Sequence, residues 1–119
     1  MNLAQIDFQQ IRIKHILFKS KVRSVLYGGN YDKTFFSSSG PINLWFTTVG
    51  LVRYNMEPEL RELAKINQEL HQTALQLFSL YGNGKIEQAL DGMKKIDQLS
   101  DSFLKLIATL EAKYNHRAD

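Results

Sequence analysis

Apolar residues in this chain return every three or four positions over long stretches, and glycine-rich breaks cut those stretches apart. Leu60, Leu63, Asn67, Leu70, Ala74, Leu77 and Tyr81 trace a 3-4-3-4-3-4 seam. That period places one stripe along one side of an α-helix, and a helix with one apolar stripe has to bury it. Pro58 suits the first turn of this helix, and Glu57 and Glu59 suit its positive N-terminal end. Gly82-Asn83-Gly84 closes it. A second seam runs from about Lys85 to Tyr114 through Ile86, Ala89, Met93, Ile96, Ser100, Phe103, Ile107, Leu110 and Tyr114, weakened locally by Gly92. A third, from Asp7 to about Leu26, carries Phe8, Ile11, Phe18, Val22 and Val25. Its one empty slot is position 15, so His15 lies on the core face. Arg12, Lys14, Lys19, Lys21 and Arg23 cover the flanks.

Gly28-Gly29-Asn30 ends the first helix, and residues 30–41 read as loop, closing on Ser37-Ser38-Ser39-Gly40-Pro41. The apolar segment at 42–49, with Trp45 and Phe46, fits a short helix or a strand by pattern alone. Thr47, Thr48 and Val49 lower its helix propensity. Three long amphipathic helices with short connections predict an all-α protein, an antiparallel four-helix bundle whose fourth member is a short helical segment around residues 42–49.

The chain has 119 residues, enough for one domain over 1–119, with its core at about 7–110 and a polar, frayed tail over 111–119 that holds His116. With no cysteine, disulfides, thiolate nucleophiles and Cys-ligated metals are excluded. A net charge of +3 with both signs interspersed gives no footprint for nucleic acid. The N-terminus has no basic-then-apolar leader, and no run approaches the roughly 20 apolar residues of a membrane span. A cytoplasmic protein with no membrane insertion is expected, and Met1 with the polar C-terminus favours a standalone chain.

No phosphate loop, HExxH motif or Ser/His/Asp set is present, so no enzyme is predicted. Glu57 with Arg61 and Asp101 with Lys105 have the spacing of surface pairs of small weight. Trp45, Phe46 and Met93 read as core. Two histidines remain. His15 and His71 occupy core-facing and core-flanking positions on different long helices, and His71 lies one turn beyond Asn67. Facing helices of a bundle build metal sites from such residues, and imidazole is a common zinc ligand. A hydrogen-bonded pair of core histidines fits the same spacing.

The order of these features resembles the chemoreceptor zinc-binding domain, a cytoplasmic helical bundle of bacterial chemoreceptors and diguanylate cyclases. That family's ligands are a His on the first helix, a Cys in a Cys-x-[Leu/Phe]-Gly-x-Trp motif, and a later His-x-x-x-His pair. The resemblance covers about residues 7–110. His15, in Lys14-His15-Ile16-Leu17-Phe18-Lys19, resembles the first-helix ligand. Gly40-Pro41-Ile42-Asn43-Leu44-Trp45 falls on the Cys motif, keeping Trp45 and an apolar Ile42 but placing Gly40 at the Cys and Asn43 at the Gly. Asn67-Gln68-Glu69-Leu70-His71 falls on the His pair, with Asn67 at its first His and His71 at its second. Arg53-Tyr54 to Leu60 resembles the linker into that helix.

The resemblance implies a non-catalytic bacterial sensor domain regulating chemotaxis or cyclic-di-GMP output, with a degenerate zinc site. His15 and His71 are the retained ligand positions, and Gly40 and Asn67 occupy the lost ones. It also implies a homodimer and a bacterial signalling protein as partner. Two alternatives stand beside it: a zinc sensor that completes His15 and His71 with substitute ligands, and a ligand-free dimerisation or adaptor module. A buried Asn67 is expected to hydrogen-bond His15 or His71 and hold the bundle register.

Overall fold

A computed structural model describes residues 2–115, and it is an all-α bundle. Helix α1 spans Leu3–Leu26. It begins ahead of the expected Asp7 because Asn2 and Gln5 cap it reciprocally. The Asn2 side chain accepts from the Gln5 N–H at 2.9 Å, and the Gln5 side chain accepts from the Asn2 N–H at 2.9 Å. The expected face is buried, with His15 among Phe8, Ile11, Phe18, Val22 and Val25.

The segment after the loop is helical and longer than expected. It comprises α2 (Pro41–Trp45), a π-helical turn (Phe46–Gly50) and α3 (Leu51–Arg53). The Thr47 hydroxyl donates to the Asn43 and Leu44 carbonyls, and the Thr48 hydroxyl donates to Leu44 at 2.6 Å. Hydroxyls that compete for helix carbonyls accompany a widened turn. Gly50 lies beneath the Trp45 ring, where a Cβ would come within 2.5 Å of it. The indole Nε1 donates to the Asp7 carbonyl at 3.1 Å and fastens this segment to α1.

Helix α4 spans Pro58–Gly82, and its seam is buried from Leu60 to Leu77. The last seam is divided at Gly92 into α5 (Ile86–Asp91) and α6 (Met93–Asn115). Ile86 is exposed, so the buried stripe starts at Ala89. The expected frayed tail over 111–119 is corrected in its first part. Residues 111–115 are helical, held by Glu111 against Arg12, Lys113 against Glu59 at 2.7 Å, and the Tyr114 ring tilted against Phe8 and edge-on to Tyr54. His116 and the three residues after it lie outside the described residues.

Contacts between α1 and α6 run in opposite chain directions: Asn2 with Tyr114, Arg12 with Glu111, His15 with Ser100, Lys19 with Asp97. Lys113 of α6 likewise meets Glu57 and Glu59 at the start of α4. Both long helices α1 and α4 are therefore antiparallel to α6. The fourth corner is chain 31–54, descending beside α1: Asp32 meets Lys21, Phe36 meets Phe18, and Trp45 and Arg53 meet Asp7. Its upper half is the expected loop, yet Phe35 and Phe36 are buried and fill the place of helix side chains. Among the described residues, no helix is long and apolar enough to cross a membrane.

Candidate functional site

His15 faces α6. Its Nε2 is 2.7 Å from the Ser100 hydroxyl, and its ring stacks on Phe103 at 4.4 Å between centroids. The side chain is 1% exposed, and its Nδ1 has no hydrogen-bond partner. Burial, with Lys19 close by, pushes its pKa down to about 4. The imidazole is neutral at neutral pH, since burial penalises the charged form. It lines a cavity of about 250 Å³ with Lys19, Ser20, Arg23 and Ser100.

His71 faces a different groove. Its ring lies against Phe18 at 4.7 Å, and its Nδ1 donates to the Asn67 backbone carbonyl at 3.0 Å. A carbonyl only accepts, so Nδ1 carries the proton and Nε2 is left as an acceptor. Burial lowers the His71 pKa, and the hydrogen bond to Asn67 acts against that. The groove is lined by Ser37, Asn43, Asn67, Gln68, His71 and Gln72, a neutral set of amides, hydroxyl and imidazole.

Asn67 is buried, but its side chain bonds neither histidine, which corrects the expectation. Its Nδ2 donates to Asn43 Oδ1 at 3.0 Å, and Asn43 Nδ2 donates to the Ser37 carbonyl at 3.1 Å. An amide chain therefore ties α4 through α2 to the loop. Asn43 was missed as a site residue; the only sequence signal was its place where the family motif has glycine.

Gly40 has an ordinary φ of −69°. Its need for glycine is spatial, because a Cβ there would lie 2.0 Å from the Phe35 carbonyl oxygen. The position that resembles the family's Cys is filled by backbone.

The two retained imidazoles thus line different cavities, one engaged by Ser100 and the other by the Asn67 carbonyl. Among the described residues, no group of three or more His, Cys, Asp or Glu side chains could hold a metal ion. A tetrahedral zinc centre needs four converging donors, and this set does not fit one.

A second polar cluster was not foreseen. The Asp7 carboxylate, 3% exposed, accepts from Arg53 at 2.8 and 3.0 Å and from the Tyr54 hydroxyl at 2.5 Å. Burial, then the Asp7 hydrogen bond, raises the Tyr54 pKa, so the phenol keeps its proton. This cluster holds the end of α3 to the start of α1 and is satisfied internally. No family model, curated protein or solved structure matches the chain.

Proposed function

We propose that this chain is a non-catalytic, cytoplasmic signalling module of the chemoreceptor zinc-binding kind, in which hydrogen bonds stand where the family has metal ligation. It works by contact with another bacterial signalling protein in chemotaxis or cyclic-di-GMP control. The observation that carries this reading is the closure of all four ligand positions onto the protein itself. His15 is bonded to Ser100, Asn67 to Asn43, His71 to the Asn67 carbonyl, and the Phe35 carbonyl fills the space beside Gly40. The His15–Ser100 bond joins α1 to α6 and the Asn67–Asn43 bond joins α4 to α2, while the His71 bond braces α4 on itself, so hydrogen bonds fix helix register in place of an ion. The role read for these bonds is positioning, since each is satisfied within the protein.

The test is thermal melting of chelator-treated protein with and without zinc, beside a His15→Ala, His71→Ala variant. A ligand that binds only the folded state at a hundred times its dissociation constant adds about 2.7 kcal/mol. The expected outcome is no zinc-dependent rise. A rise that the double variant loses would establish a working zinc sensor and overturn this reading.

A further inference from the structure

Helix α1 is apolar on two opposite sides. One side is the core face already described. The other carries Leu3, Ile6, Ile13 and Leu17 at heptad spacing, with Ile16 beside them, and all five are exposed. Ile13 is 65% exposed, Leu3 56%, Ile16 55% and Leu17 46%. Single exposed leucines need no explanation, but five apolar residues on one helix face, interrupted at Gln10, mark an interaction surface. A seam spaced by three and four residues is the geometry that receives a second helix.

The charges that α1 itself places beside this row are all positive. Along one edge stand Lys14 and Lys21. Lys14 has no carboxylate partner among the described residues, and Lys21 has Asp32 at the long distance of 4.0 Å. Along the other edge, Arg12, Lys19 and Arg23 are turned to Glu111 and Asp97 of α6. The only acidic residue of α1, Asp7, is buried under Arg53 and Tyr54. The open face of α1 itself thus offers apolar side chains and basic residues and no carboxylate of its own, while Asp32 and Asp97 stand at its edges, each engaged by cations of α1.

We infer that the outward face of α1 is the docking surface for an acidic amphipathic helix of a partner protein, with Ile13, Ile16 and Leu17 as anchors and Lys14 and Lys21 selecting acidic flanks. A second copy, which the family resemblance implies, would lay this face on itself and bring the basic edges of α1 together, with Asp32 and Asp97 already engaged by Lys21, Lys19 and Arg23. Like charges across a seam select against a partner, and opposite charges select for it. The inference names the kind of partner for the signalling module proposed above and rests on that reading.

Two labelled peptides, each about three heptads long, test it. Both carry Leu and Ile at the seam positions, one with Glu and the other with Lys at the flanks. The intact chain should bind the Glu peptide at least about tenfold more tightly in fluorescence anisotropy, with affinity falling as salt rises. Ile13→Ser with Leu17→Ser should abolish binding, and Lys14→Glu should narrow the difference between the peptides. Ile13 and Leu17 are exposed and Lys14 is half-buried, and circular dichroism melts check that both variants fold.

Equal binding of the two peptides, or none, overturns the inference. So does a doubled mass in light scattering that the Ile13/Leu17 variant loses, which would assign the face to a second copy. Sedimentation with anionic vesicles that the same variant loses would assign it to a membrane surface and also overturn it. The zinc melt reads His15 and His71 and the peptide titration reads the opposite side of α1, so either can fail alone.

Discussion

His15 shows how one residue's surroundings set its chemistry. Its folded-state pKa of about 4 lies below the ordinary 6.5, so the unfolded chain binds the proton more tightly. The stability its burial permits is complete above about pH 6.5 and is lost as pH falls from there toward 4. The loss over that window is about 3 kcal/mol, and His71, lowered by burial in the same direction, adds to it. Urea denaturation at pH 7 and pH 5 should show a clear drop that His15→Leu reduces; equal stability at both values would refute it. That His15 faces the core was legible, because it filled a gap in a heptad pattern. Its partner was not. Ser100 sits in the α6 seam as one more small residue, and nothing along the chain says that two seams meet there. Asn67 fails for the same reason: its position was legible, but its bond to Asn43 depends on how the loop and α2 fold over α4.

At the scale of elements, periodicity located the three long helices and missed what two of the segments do. A single buried stripe accounts for the core face of α1 but not for its leucines and isoleucines outside that stripe. Phe35 and Phe36 fall in a stretch with no period, and their burial follows from contacts of Phe36 with Phe18 and Phe78 across the fold and of Phe35 with Phe36. The loop in turn decides what position 40 can hold. A Gly40→Cys, Asn67→His variant supplies the residue types of the proposed zinc-binding relatives, yet the new Cβ would have to displace the Phe35 backbone. It should melt below the parent by an amount equivalent to about 1–3 kcal/mol, as overpacked variants do. It should also gain no zinc-dependent rise in Tm. Recovery of a zinc response by these two changes alone would show that the loop yields readily.

The whole molecule is a bundle with one irregular corner, and its two ends meet. Tyr114 packs on Phe8 and Tyr54 at centroid distances of 5.7 and 5.3 Å. Asn2 reaches the Tyr114 carbonyl at 3.5 Å, and Gln5 Nε2 donates to Asn115 at 2.5 Å. Residues 111–115, the first part of the tail that reads as polar and frayed in sequence, thus extend the core at this end through Tyr114. Replacing Tyr114 by Ala should cost about 2 kcal/mol in chemical denaturation, less than a fully buried aromatic because the ring is partly exposed. A change within about 0.5 kcal/mol would mean the last turn is dispensable.

The meeting of the ends also fixes how the bundle bears load. Tension applied at residues 2 and 115 enters α1 and α6 from the same end and acts across their shared seam. The caps, the Tyr114 contacts, the Arg12–Glu111 pair and the His15–Ser100 bond are then stressed one after another, as teeth of a zip are, rather than all at once in shear. Resistance to stretching would be low and would fall in steps, whereas the same helices pulled from opposite ends would share the force along their length.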